Sequence, residues 1–103
     1  MSNIDNASIN PIANTYFDGK CVSHSITLPD GSSKSIGVIF PSSLTFTTGA
    51  PERMQLLAGK CRVRVAGSDE WRHFTGGESF EVAGDSSFEI EVSEDLHYVC
   101  HFG

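Results

Sequence analysis

The 103-residue chain is short of positive charge: seven Lys and Arg stand against thirteen Asp and Glu, for a formal net charge of -6. Nucleic-acid backbones and anionic membranes are held by clustered cations, so both are disfavoured as partners. Apolar runs are short too, and none approaches the ~20 residues that span a bilayer. From Met1 to Asn14 the chain is polar and patternless. It lacks the basic and apolar regions expected of a secretory leader. The three cysteines, Cys21, Cys61 and Cys100, are odd in number and far apart. With no leader, they read as reduced, buried thiols of a cytoplasmic protein, with one disulfide between two of them left open. No Cys-x-x-Cys, His-x-His or Gly-x-Ser-x-Gly occurs, nor a Walker or Rossmann glycine pattern. Serine-hydrolase elbows and nucleotide-phosphate loops therefore have no support.

Long helical periodicity is also missing. Short alternations take its place, punctuated by Gly, Pro, Asp and Ser. Val22, His24, Ile26 and Leu28 share a face, and the turn Pro29-Asp30-Gly31-Ser32 follows. Ile36, Val38 and Phe40 form the next face. Cys61, Val63 and Val65 alternate with Arg62 and Arg64, and Phe88, Ile90 and Val92 with Glu89 and Glu91. Tyr98, Cys100 and Phe102 close the chain on one face. Many short strands at this spacing predict an all-β sandwich or barrel. The length predicts one domain over residues 14–103, after a flexible N-terminal segment over 1–13.

The stretch from Thr45 to Gly59 organises the rest. It reads as two strands around Gly49-Ala50-Pro51, with Thr45 and Thr47 on one face of the first. Glu52 heads an apolar row with Met54 and Leu56. A carboxylate there must be paired, hydrogen-bonded or solvated at a mouth, since its burial otherwise costs several kcal/mol. Metal ligation has weak support. His97 and His101 are four apart on a strand, hence about 13 Å apart, too far to share an ion. His24 and His73 have no ligand-spaced partner.

The same stretch resembles the first cupin motif, Gly-x5-His-x-His-x3–4-Glu-x6-Gly. Thr45-x-Thr47-x4-Glu52-x6-Gly59 keeps the spacing, with threonine at both histidine positions. The second motif is echoed by Gly77-x5-Ala83, with Phe88 where its histidine would stand. A closer resemblance rests on an ordered set of segments. These are Tyr16-Phe17-Asp18-Gly19-Lys20, Thr45-Phe46-Thr47-Thr48, Pro51-Glu52-x-Met54, Gly76-Gly77-Glu78-Ser79-Phe80-Glu81-Val82, Ser86-x-Phe88 and Tyr98-x-Cys100. Together they resemble the small cupin-type pyrimidine/purine nucleoside phosphorylases. The resemblance implies an all-β, single-domain jelly-roll barrel without a metal. It also implies a homodimer that cleaves a broad range of nucleosides with phosphate.

Residue chemistry suits that expectation. Glycosidic cleavage passes through a cationic, oxocarbenium-like sugar. A carboxylate, Glu52, can hold ribose hydroxyls and stabilise that charge. Thr45 and Thr47 can position phosphate or ribose, and Ser86 adds a hydroxyl. Phe80, Phe88 or Tyr98 can stack a base without reading its edge, which would admit purines and pyrimidines alike. Lys20 is a candidate charge partner for phosphate, and Arg53, Arg62 and Arg64 are expected to face outward. Phosphate enters as co-substrate and no other cofactor is expected. No unambiguous acid, base or nucleophile is visible, so a non-enzymatic cupin binding a sugar-like ligand is the alternative reading.

Overall fold

Two long strands carry the architecture. The computed structural model describes residues 3–102, and among these the chain forms nine strands. They are β1 (Ser8–Ile9), β2 (Asn14–Tyr16), β3 (Cys21–Thr27), β4 (Ser33–Ile39), β5 (Ser42–Thr47), β6 (Glu52–Val65), β7 (Arg72–Thr75), β8 (Ser79–Val82) and β9 (Ser87–Phe102). All pairings are antiparallel.

Strands β6 and β9 pair from Glu52↔Phe102 to Val65↔Phe88, with register shifts between Leu56 and Cys61. Those shifts bend the pair, so each strand serves two layers. In the first, the near half of β6 pairs with β8, and the far half of β9 pairs with β4, which leads on to β3. In the second, the other halves pair with β7 and β5. Gly59 sits at the bend with φ +105. A Cβ there would collide with the Asp95 carbonyl oxygen, so only glycine lets the strands approach this closely.

The core lies between the layers. Phe80 of β8 meets Phe88 of β9 edge-on at 5.7 Å, and Phe46 of β5 stacks on Phe88 at 5.4 Å. Leu56, Ile39, Ile90 and Leu96 are fully enclosed. Outside the second layer, Arg62 and Arg64 pair with Glu91 and Glu89 and lie over the Trp71 ring. Such exposed pairs contribute about 0.2–1 kcal/mol each. Lys60 and Glu94 continue the row at 3.8 Å.

The stretch ahead of residue 14 carries a short pairing of its own. Ser8 and Ile9 lie against Thr27 and Ile26. All three cysteines are free and buried. Cys21 pairs with Ile39 and Cys100 with Ser35, four residues along β4. That offset of about 13 Å exceeds a disulfide's reach of about 7 Å between Cα atoms.

Strands β3 and β4 turn opposite faces from those their apolar pattern suggests. Val22, Ile36 and Val38 line an outer groove, while Cys21, Ser23 and Ile39 are buried. Of the apolar row, Val22, Ile36 and Val38 lie in the outer groove while Ile26 is buried, and Ser23, Ser35 and Ile39 line the interior.

Candidate active site

The inward turn of Ser23 and Ser35 opens a cavity of about 200 Å³ between the layers. Ser23 and Ser35 form its wall on β3 and β4, with Glu52 and Met54 from β6, and Tyr98 and Cys100 from β9. Phe46 and Phe88 close one side. Tyr16 and Phe102, both about half exposed, stand with Thr47 at the rim.

Glu52 is the one carboxylate on the cavity wall. Its place at the head of β6, paired across to Phe102 and Val82, brings it to the mouth rather than the sealed core. The Cys100 thiol donates to Glu52 Oε1 at 3.6 Å. Among the described residues Glu52 makes no ion pair, and its one hydrogen bond uses Oε1. Burial pushes its pKa up, and the thiol's hydrogen bond partly opposes that shift. The Cys100 thiol is itself pushed up to about 12, by burial first and then by Glu52, so it stays protonated as the donor.

Tyr98 reaches across the cavity floor to Cys21, with Oη 3.5 Å from Sγ. Burial, with that contact, raises the phenol's pKa, so Tyr98 keeps its proton as a donor. Cys21 is also raised by burial. The polar groups of the interior are thus hydroxyls, protonated thiols and one carboxylate, set among Ile39, Phe46, Met54 and Phe88.

A metal ion does not suit this donor set. Transition metals favour imidazole and thiolate, and here the thiol beside the carboxylate holds its proton. Among the described residues no three His, Cys, Asp or Glu side chains cluster as ligands would.

Of the residues singled out in the sequence, Glu52, Thr47, Phe88 and Tyr98 come together on this wall. Thr45, Phe80 and Ser86 do not, which corrects their expected place in the pocket. β5 turns Leu44 and Phe46 inward, so Thr45 faces out beside Arg64 and Glu89. Phe80 is packed in the core against Phe74 and Phe88. Ser86 sits in the β8–β9 turn, where its amide donates to Thr48 Oγ1 at 2.9 Å. Thr48 in turn donates to the Ala83 carbonyl at 2.7 Å and pins the turns at this end. Lys20 is exposed and off the cavity wall.

Sequence reading missed Tyr16, Phe46, Ser23 and Ser35 as lining residues. Cys100 and Phe102 were legible, because they share the period-two face of Tyr98. Ser23 and Ser35 gave no signal, since serine in a strand usually reads as solvent-facing. Tyr16 reaches the rim through a short 3-10 turn that holds Phe17 and Asp18 at φ +52 and +55. That left-handed pair sets Phe17 edge-on to Phe46 at 5.2 Å.

Residues 12–102 match the family model of the pyrimidine/purine nucleoside phosphorylases. A protein of that name from Cupriavidus metallidurans is 62% identical over 100% of both chains. Another, from Thiobacillus denitrificans, is 60% identical, again over 100% of both. Among solved structures, a protein of unknown function from Acinetobacter sp. ADP1 is 45% identical, with a TM-score of 0.96 and 98% of both chains covered. Ectoine synthase from P. lautus is 19% identical, with a TM-score of 0.69 over 82% of this chain and 64% of its own. That likeness shows the fold alone, an all-β cupin barrel. The chain belongs to the pyrimidine/purine nucleoside phosphorylase family.

Proposed function

We propose that this protein cleaves purine and pyrimidine nucleosides with inorganic phosphate, releasing free base and ribose 1-phosphate. The observation that carries the reading is Glu52. It is a lone carboxylate with a free oxygen, set in a neutral cavity under an aromatic rim. Family membership supplies the reaction class.

Cavity size sets the pose. At about 200 Å³ the cavity falls below the ~300–1,000 Å³ typical of small-molecule sites. It takes the ribose, and the base lies at the rim against Tyr16 and Phe102. Glu52 Oε2 accepts from ribose hydroxyls, and the Tyr98 phenol donates to the sugar. As the C1′–N bond lengthens, positive charge grows on the sugar ring. Glu52 then stabilises it more than it did the neutral ground state. A phosphate oxygen bonds to C1′, and the bond's electron pair leaves with the base nitrogen. The proton from hydrogen phosphate ends on that nitrogen. The step balances without a redox partner, and we assign no metal or organic cofactor to it. An aromatic rim that stacks without reading base edges accounts for acceptance of both base classes.

The protein acts as a homodimer in this reading. The outer groove over Val22, Ile36, Val38, Leu57 and Val99 is the face for a second copy, in a symmetric, self-complementary contact. Three free thiols suit the reducing cytoplasm.

Incubating the protein with inosine and with uridine, and reading free base by chromatography, tests the proposal. Release of both bases only when phosphate is present supports it. Equal release without phosphate means hydrolysis. No release in either buffer favours the sugar-binding alternative.

A further inference from the structure

The Glu52 backbone is fixed from both sides, paired with Phe102 on β9 and Val82 on β8. Its side chain is freer. Several rotatable bonds separate the carboxylate from that backbone, and among the described residues no ion pair restrains it. A carboxylate that serves a transition state has to be held in place beforehand, because ordering it during the reaction adds to the barrier.

The contact that holds it is Cys100. This residue lies on β9 two positions before Phe102, so its side chain emerges on the face that carries Glu52. The thiol donates to Glu52 Oε1 at 3.6 Å, and both residues line the cavity. The sulfur is itself confined: Cys100 stands opposite Ser35 on β4 and Met54 on β6, and it is buried. Burial first, then Glu52, pushes the thiol up to about 12, so it keeps its proton and remains the donor. A hydroxyl or an amide would bond the carboxylate more strongly and draw on its negative charge. A thiol is a weak donor, so it orients the group and leaves most of the charge for a cationic sugar.

No other charged group faces Glu52 across the cavity. Besides Glu52, the titratable side chains on the wall are Tyr16, Tyr98 and Cys100. Strands β3, β4 and β5 bring only Ser23, Ser35, Ile39, Phe46 and Thr47 to it. Arg53 on β6, Glu81 on β8 and His101 on β9 are in register with one another on the opposite face of the sheet.

We propose that Cys100 is a positioning residue of the reaction: its thiol holds Glu52 in the orientation the sugar requires and acts only through that carboxylate. This deepens the phosphorylase reading and rests on it for the task of the carboxylate.

The test compares Cys100→Ala and Cys100→Ser in the full chain, with uridine and phosphate as substrates. Cys100→Ala should lower kcat by about tenfold or more and leave the KM for phosphate unchanged. The thiol's hydrogen bond lowers the Glu52 pKa against the rise caused by burial. Losing that bond should therefore move the acid limb of the kcat/KM profile to higher pH. Cys100→Ser keeps a donor and should recover part of both effects. In a Glu52→Gln background Cys100→Ala should cost little more, since no charge is left for the thiol to place. Independently of turnover, the Glu52 side-chain carboxyl resonance should titrate at higher pH in Cys100→Ala than in the wild type. That resonance separates Glu52 from His101, which also titrates in acid. Where Cys100→Ala does not fold, Cys100→Val fills the space without a donor and takes its place. An unchanged Glu52 titration, or full kcat, in a folded variant without the donor makes Cys100 a packing residue and overturns the proposal. If the wild type turns over no nucleoside, the phosphorylase reading fails, and the carboxyl titration alone decides whether Cys100 holds Glu52. An unchanged titration overturns that hold as well.

Discussion

Replacing Glu52 by Gln separates a catalytic carboxylate from a structural one. The change keeps the side chain's shape and removes its charge. Few protein contacts are at stake. Glu52 makes no ion pair among the described residues, and its one partner is the Cys100 thiol at 3.6 Å. The amide oxygen of Gln can accept from the same thiol. Stability should therefore stay within about 0.5 kcal/mol of wild type near pH 5, a shift of only a few degrees in Tm. At higher pH the sign is set by the raised pKa. The folded protein binds the Glu52 proton more tightly than the unfolded chain does. Stability from this group is then full below its ordinary value of 4.5 and is lost as pH rises through the folded value. Gln does not titrate, so Glu52→Gln should gain Tm relative to wild type across that window and hold the gain above it. Turnover should move the other way. Losing one charge-assisted contact to the cationic transition state should cost about 2.7–4 kcal/mol, or about 10²–10³ in kcat, by comparison with removal of an oxyanion-hole donor. Glu94→Gln is the control: its pair with Lys60 is long and exposed, so both readouts should change little. Thermal melts at several pH values and steady-state phosphorolysis are the assays. Full turnover in a Glu52→Gln protein that melts well below wild type would refute the argument and make Glu52 a structural residue.

Further outcomes follow from the geometry. Gly59→Ala forces a Cβ against the Asp95 carbonyl at φ +105 and should cost about 3 kcal/mol or more in urea unfolding. Thr48→Val strips partners from the Ser86 amide and the Ala83 carbonyl, and should cost about 1–3 kcal/mol in the same assay. Tyr16→Ala, at a half-exposed rim position, should leave the melt nearly unchanged while raising the KM for both uridine and inosine about tenfold. Val38→Lys on the outer apolar face should lower the mass measured by light scattering from dimer to monomer and leave the cavity intact.

The strand class was legible because alternation is a backbone property: side chains at i and i+2 point the same way whatever they pack against. The apolar row behind Glu52 and the shared face of Tyr98, Cys100 and Phe102 were readable on that basis, and both reach the cavity. Spacing from Glu52 to Gly59 was readable too, and the bend explains why the glycine is there. Alternation does not say which face turns inward. On β3 and β4 the apolar face, Val22, Ile36 and Val38, lies outside, and Ser23 and Ser35 line the interior. A serine as enclosed as Ser23 is tolerated only where polar neighbours satisfy it, and Asn14, which donates to its hydroxyl at 3.5 Å, comes from β2. The same holds for Thr45 and Phe80. The phase of β5 against β9 turns Thr45 outward, and the β7–β8 packing draws Phe80 into the core. Sequence by itself determined the strands, the turn glycines and the carboxylate at the mouth. Only the tertiary structure decided which residues share a wall with that carboxylate. Long-range pairing of two bent strands sets the distances, and no local pattern encodes them.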